Sequence, residues 1–248
     1  MRHQPAAVRP GQASILGPVI VGQPSWLADL EVPPLAGALV VIVHQDSAQG
    51  RASGQRFIAD VLRANQFCTL SIGLRTAEES ADGQAAPKLD KGCTRIRSVM
   101  DWIGAQPSLT HRCVALMGMA DAVPACIAAA SQAAAPFIHS MVLVDGPLEV
   151  TSPAWPSLDM PTLLLAGRSD ATALTRYLAI SDTLIGLHHG LHQVDLIPGA
   201  THPVSEPGAL ESIACAAAAW FGRTLPPPRA DVSAWLAGGR ASNRCRPE

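Results

Sequence analysis

Six short, strongly apolar segments recur along this 248-residue chain, and most are separated by stretches with helical periodicity. Continuous runs rich in leucine and β-branched residues are typical of strands covered on both faces. Strands that alternate with helices predict a mainly parallel, doubly wound α/β sheet with helices on both faces. The predicted strands of this alternation are 38–43, 67–72, 113–117, 140–144, 162–166 and 193–197.

Two apolar segments precede this alternation and extend the predicted sheet to about eight strands. Residues 14–22 and 26–32 are predicted to form a hairpin, with its turn at Gly22-Gln23-Pro24-Ser25. The later loop, 146–160, is too short to hold a large cap domain. We therefore expect a single α/β domain whose sheet edge is covered only by loops.

The predicted domain spans 14–225, with 1–13 as a flexible N-terminus and 226–248 as a disordered tail containing proline and arginine. Residues 74–90 are polar and are predicted to form a flexible surface loop, and Asp90 is predicted to cap the helix that follows. The predicted helices are 52–65, 91–106, 120–134, 172–187 and 206–222.

The charge balance argues against nucleic acid or a membrane surface as a partner. Charged residues make up 15% of the chain and the formal net charge is −2, which leaves no strongly basic face. No apolar run approaches the roughly 18 residues that span a bilayer, and no signal-type segment is present, so a cytoplasmic location is expected. The six cysteines lack C-x-x-C spacing. We expect no disulfide, zinc site or cofactor, and buried free thiols at Cys68, Cys113, Cys126 and Cys215.

The segment Val114–Ala122 reads V-A-L-M-G-M-A-D-A and carries the most chemical information. An apolar strand, a sharp turn and an alanine-rich helix form the layout of a nucleophile elbow, which normally reads G-x-S-x-G. Ala120 occupies the nucleophile position, and a methyl group cannot attack a carbonyl. Asp121 is one residue past the apex, so we interpret its carboxylate as stabilised by the helix N-terminal dipole rather than as a nucleophile.

Two later residues follow strands in the order that an elbow nucleophile, its acid and its base would take. Asp170 comes just after a strand that ends in Gly167, where a carboxylate can orient an imidazole. His202 lies in the loop after the last strand, from which its ring can reach back over the sheet edge. The pair either activates water or, having lost its nucleophile, only fixes two loops by a hydrogen bond; we favour the second interpretation.

Four motifs resemble the dienelactone hydrolase-like branch of the α/β-hydrolase superfamily over residues 15–225. Leu39–His44 is similar to the strand that leads into the family's H-G-x-G oxyanion loop, and Arg97–Ile103 is similar to the helix before the elbow. Pro161–Asp170 resembles the acid motif P-T-L-L-I-x-G-x-x-D, and Pro198–Gly208 resembles the base motif P-G-A-x-H. The resemblance implies an α/β-hydrolase fold and a carboxylic ester hydrolase ancestry.

The departures from the family pattern extend beyond the missing serine. Ala122 replaces the second glycine of the elbow, and the oxyanion loop reads His44-Gln45-Asp46-Ser47 without a glycine. Glycines there let the backbone approach a developing oxyanion, whereas Asp46 and Asp121 add negative charge near it. Several changes of this kind favour a natural loss of function over a single engineered substitution.

Two functions from different classes follow from these residues. The first is a non-catalytic homologue, a pseudoenzyme, that binds a small molecule or a protein partner. The second is an active serine-type ester hydrolase seen as a variant with Ala120 in place of its nucleophile, or one that uses a water-based route. A homodimer is compatible with both. Trp155, in the loop before the acid-bearing strand, either lines a ligand pocket with His44 and Gln45 or caps the core.

Overall fold

The computed structural model contains one sheet of eight strands. It describes residues 16–21, 26–34, 36–45, 53–76, 78–79, 87–132, 138–150, 152–168, 171–188, 192–198, 200 and 208–227. The strands are β1 (Leu16–Val21), β2 (Trp26–Glu31), β3 (Ala38–His44), β4 (Cys68–Gly73), β5 (Cys113–Met119), β6 (Ile138–Val144), β7 (Thr162–Gly167) and β8 (His192–Ile197).

The strand order is β1-β2-β4-β3-β5-β6-β7-β8. β2 pairs antiparallel with β1 and β4, and all other neighbouring strands are parallel. In the described part of the chain, five helices of eight or more residues cover this sheet: α1 (Ser53–Ala64), α2 (Leu89–Gly104), α3 (Val123–Ala130), α4 (Ala171–His188) and α5 (Ala209–Thr224). The prediction of a mainly parallel, doubly wound sheet without a large cap domain is confirmed for the described residues.

Each buried strand contributes side chains to two separate hydrophobic cores, because successive side chains point to opposite faces of the sheet. Leu39, Val41 and Val43 belong to the core under α2, α3 and α4. Val40 and Ile42 belong to the core under α1 and α5. Burial on both faces explains why β3 reads as an unbroken apolar run.

The parallel pairing decides where chemistry can occur. The carboxyl ends of β3, β5, β6, β7 and β8 all lie at one edge of the sheet, and open α/β sheets bind ligands outside that edge. The sequence places its candidate residues in the loops that follow these strands.

Three local predictions are wrong. α2 begins at Leu89 after Lys88, so Asp90 lies in its first turn and does not cap it. The segment 74–90 is not a free loop throughout, because Arg95 of α2 holds Glu79 in an ion pair. Cys215 is exposed on α5 and Cys113 is half-buried, so the expectation of buried thiols is wrong for both, whereas Cys68 and Cys126 are buried free thiols as expected.

The helix predicted over 120–134 begins later than expected. Ala120–Ala122 form a single 3₁₀ turn, and regular α-helix runs only from Val123 to Ala130, with Pro124 in its first turn. The predicted flexible N-terminus and tail lie outside the described residues, apart from Pro226 and Pro227. In the described part of the chain, no helix combines the length and apolarity needed to cross a membrane.

Candidate functional site: the elbow after β5

Ala120 adopts a backbone conformation that side chains rarely take. Its φ is +48°, between the extended Met119 and the right-handed turn that opens α3. For an L-residue the left-handed region costs roughly 1–2 kcal/mol, because Cβ approaches the following carbonyl oxygen. The chain therefore keeps a strained strand-to-helix turn at the position where the motif carries its nucleophile, and presents a methyl group there.

Tight packing around the turn explains the glycines at two strand ends, one in β5 and one just after β6. A Cβ on Gly118 would lie 2.8 Å from the Cys126 sulfur, so β5 and α3 approach each other at this point. A Cβ on Gly146, just after β6, would lie 2.2 Å from the Val123 Cβ. The first turn of α3 is thus pressed against two strand ends.

The second glycine of the motif is not needed for this backbone. Ala122 has φ −80° and ψ −15°, in the right-handed helical region that alanine favours, and its side chain is fully buried. The sequence analysis counted Ala122 as a departure that weakens the elbow. The structure shows that the departure costs no backbone strain.

The register brings the predicted oxyanion loop beside the elbow. Val43 of β3 pairs with Gly118 of β5, so His44 at the end of β3 and Gln45 after it lie next to the point where Ala120 follows β5. His44 is 1% exposed. The carbonyls of His44 and Gln45 accept hydrogen bonds of 2.8 and 3.0 Å from the amides of Leu74 and Arg75, which ties this loop to the end of β4.

The polar atoms placed there do not suit a developing negative charge. The side-chain oxygen of Gln45 is buried and has no hydrogen-bond partner among the described residues. Asp121 is exposed, so its carboxylate remains solvated at the first turn. Oxyanion stabilisation requires donors aimed at the charge. The Asp121 carboxylate can only accept hydrogen bonds, whereas the Gln45 amide carries both an acceptor oxygen and a donor NH2 group. Asp46 and Ser47 lie outside the described residues.

Sequence reasoning missed Asp145, a buried carboxylate beside the elbow. It follows β6, whose Val144 pairs with Met119, and it is 5% exposed with φ +52°. Its amide donates to the Leu165 carbonyl at 2.9 Å. The signal in the sequence was an acidic residue directly after a buried strand, the same signal that singled out Asp170.

Tyr177 of α4 fixes the segment after Asp145. The Tyr177 hydroxyl accepts a hydrogen bond of 3.0 Å from the Gly146 amide and donates to the Gly146 carbonyl at 3.4 Å. Burial raises the pKa of Tyr177 above its ordinary value, and the nearby charge of Asp145 raises it further. Tyr177 therefore remains a neutral hydrogen-bonding phenol at physiological pH.

Trp155 is a core residue. It is 1% exposed, and its indole N–H donates to the Glu149 carbonyl at 2.8 Å. Trp155 also lines a groove of about 1050 Å³ between α3 and residues 147–157, with Leu89 and Arg176 on the flanks, so it both packs in the core and borders a concavity. We refer to this concavity as the α3 groove.

The α3 groove begins beside the elbow but does not include it. Pro124 and Pro147 line its elbow-side end, whereas Ala120, Asp121 and His44 do not line it. Asp170 and His202, the predicted acid and base, lie outside the described residues, so their roles stay predictions. Within the described ranges, no three His, Cys, Asp or Glu side chains are grouped so as to hold a metal ion.

Comparison with solved structures assigns the fold. The chain superposes on a dienelactone hydrolase from Anabaena variabilis with a TM-score of 0.74 and 25% identity, covering 86% of this chain and 98% of that one. The protein has an α/β-hydrolase fold. A dienelactone hydrolase-like promiscuous phosphotriesterase from metagenomic libraries matches with a TM-score of 0.68 at 14% identity, covering 87% of this chain and all of the other. An α/β serine hydrolase without a lid from Xanthomonas campestris matches with a TM-score of 0.63 at 17% identity, covering 91% of this chain and 100% of that one.

Curated sequence relatives are longer and differently named. Proteins from two strains of Mycobacterium tuberculosis, each carrying the provisional name of a phosphoribosyl transferase, are 27% identical to this chain over 203 residues. The match covers 82% of this chain and 45% of each relative, so the chain spans less than half the length of the curated relatives it matches. No family model matches the sequence.

Proposed function

We propose that this protein is a non-catalytic relative of dienelactone hydrolases and esterases that acts by binding a small molecule or a protein partner. One observation carries the proposal: the elbow turn is preserved, with φ +48° at its apex, but its apex residue is Ala120. Covalent ester hydrolysis needs an activated nucleophile at that point, and alanine has no atom that can attack.

The surroundings of the elbow support the same conclusion. The carboxylate of Asp121, next to the apex, would oppose the negative charge that develops during hydrolysis. The transferase named for the mycobacterial relatives is not proposed for this chain, because the match spans only 45% of each of them. A cytoplasmic location stays a prediction of the sequence.

One observation favours the second candidate, a serine-type ester hydrolase in which Ala120 replaces the nucleophile. The positive φ of Ala120 costs free energy, and an alanine side chain makes no use of this conformation. An elbow that still holds this conformation would present a serine hydroxyl in the geometry of the motif. The two candidate functions therefore differ in whether the acid, the base and the oxyanion loop could still support hydrolysis once a serine is present.

Hydrolysis of 4-nitrophenyl acetate by the unaltered chain and by Ala120→Ser separates the candidates. We expect neither protein to hydrolyse the ester faster than the buffer does, because the Asp121 carboxylate places negative charge beside the apex and the loop after β3 lacks the glycines of the family motif. Hydrolysis by Ala120→Ser that disappears in the double variant Ala120→Ser/His202→Ala would contradict the proposal and support the second candidate. Hydrolysis by the unaltered chain that disappears in His202→Ala would instead establish a water-based route.

A further inference from the structure

The α3 groove has the dimensions and lining of a small-molecule site. Its volume of about 1050 Å³ is at the upper end of the range for ligand pockets, roughly 300–1000 Å³. Pro124, Ile127 and Ala128 form one wall on a single face of α3, at helical spacing. Most of the other lining residues are apolar, and they belong to the segment 147–157.

The rigidity of the groove comes from buried anchors beneath it. Trp155 and Leu148 are 1% and 5% exposed and belong to the core, so the segment that carries the opposite wall is fixed from below. On the flank, Leu89 is 51% exposed at the first turn of α2. A large apolar side chain that remains half-exposed on the wall of a concavity would gain by contact with an apolar ligand.

Arg176 supplies a cation that nothing in the described structure neutralises. It is exposed on α4, lines the α3 groove, and makes no hydrogen bond or ion pair with a described residue. Its backbone position is fixed, because the adjacent Tyr177 is buried and bonded to Gly146. A guanidinium can bind a carboxylate through two parallel hydrogen bonds while its apolar stem lies along the groove.

One carboxylate, that of Glu149, also lines the groove and is exposed. Glu149 and Arg176 are both exposed, so an ion pair with either side chain is partly solvated and contributes modestly to binding. The bidentate guanidinium–carboxylate pair is the stronger of the two choices because its geometry is fixed and planar. The observations therefore favour an anionic ligand head at Arg176 over a cationic one at Glu149.

From these observations we infer that the α3 groove binds an amphipathic carboxylate, with its apolar body between α3 and residues 147–157 and its acid group on Arg176. The inference rests on the proposed function, which requires a ligand that need not react at Ala120. Because the α3 groove is not lined by the elbow apex, such a ligand can bind without the missing nucleophile.

Isothermal titration of the unaltered chain with hexanoate, octanoate and decanoate, below their micellar concentrations, tests the inference. We expect affinity to rise about threefold for each added methylene, in proportion to the apolar area that becomes buried. Arg176→Gln should weaken octanoate binding at least fivefold, and Glu149→Gln should leave it unchanged or slightly tighter. Arg56→Gln, at an exposed arginine without a described partner on α1, is the matched control and should have no effect.

Octylamine provides the contrast in ligand charge. If it binds more tightly than octanoate and loses affinity in Glu149→Gln, the groove recognises a cation and the inference is wrong. Ala128→Phe, which fills the α3 wall, should abolish binding while the circular dichroism spectrum stays unchanged. Absence of binding by every alkanoate would overturn the inference, whereas the proposed function would be overturned by ester hydrolysis that depends on His202, in Ala120→Ser or in the unaltered chain.

Discussion

The ion pair between Glu79 and Arg95 should contribute several kcal/mol to folding, although the sequence placed Glu79 in a flexible loop. The two side chains are 14% and 8% exposed, and their paired contacts are 2.7 and 2.8 Å long. Arg95 also donates to the Leu74 carbonyl, and the Thr76 amide donates to Glu79 at 2.9 Å. Lys91 also forms an ion pair with Glu79, but its side chain is exposed to solvent, so this contact contributes less to stability.

Arg95→Met should lower the free energy of unfolding by about 3 kcal/mol, because it leaves a largely buried carboxylate with only the solvated Lys91 as its cation. Glu79→Gln should cost about 2 kcal/mol, since charge-assisted hydrogen bonds contribute roughly 1.5–3 kcal/mol each and the amide retains part of them. The double variant should lose less than the sum, with a coupling of about 2 kcal/mol. Glu78→Gln, at an exposed neighbour, is the control and should change stability by less than about 0.5 kcal/mol.

The pH dependence follows from the direction of the pKa shift. Hydrogen bonds from Arg95 hold the pKa of Glu79 well below its ordinary value, against the opposing effect of desolvation. The stabilisation is therefore complete above the unfolded-state pKa, about 4.3, and is lost as the pH falls from there toward the lowered folded-state value. Urea denaturation followed by circular dichroism should show the deficit of Glu79→Gln shrinking below about pH 4. A deficit that is the same at pH 7 and pH 3.5, or a coupling near zero, would refute this reasoning.

Three further predictions can be measured by the same urea denaturation or by thiol titration. Gly146→Ala should lower the free energy of unfolding by about 3 kcal/mol, because the new methyl group would overlap a side-chain carbon of α3. Gly222→Ala, in open space within α5, should raise it by about 1 kcal/mol. Equal effects of the two substitutions would argue against the packing of α3 on the strand end. Ala120→Gly should change the free energy of unfolding by less than about 0.5 kcal/mol, because relief of the positive φ offsets the larger entropy of the unfolded chain. Ala128→Gly, inside α3, should lower the free energy of unfolding by about 1 kcal/mol. Cys215→Ser should remove one thiol that reacts rapidly with Ellman's reagent in the native state, since Cys215 is exposed; an unchanged count of fast thiols would show that it is protected.

The sequence by itself determined the order of strands and helices and predicted where the site lies. Unbroken apolar runs such as Ala38–Val43 specify strands buried on both faces, and their alternation with helices leaves few topologies other than a mainly parallel sheet. The strand, glycine and alanine-rich helix around Ala120 predicted a sharp strand-to-helix turn, which the structure contains, because such a turn is set by residues adjacent in the chain. The assignment of Ala120 to a nucleophile position stays a prediction.

Tertiary structure decided everything that depends on residues distant in sequence. Asp145 becomes a neighbour of the elbow only because β6 pairs with β5, and Trp155 is assigned to the core only by its 1% exposure. The anchoring of Glu79 depends on Arg95, sixteen residues later, and could not be read from the polar composition of 74–90. Local propensities act over a few residues, whereas burial and charge pairing are set by the approach of whole elements, which a single sequence does not specify.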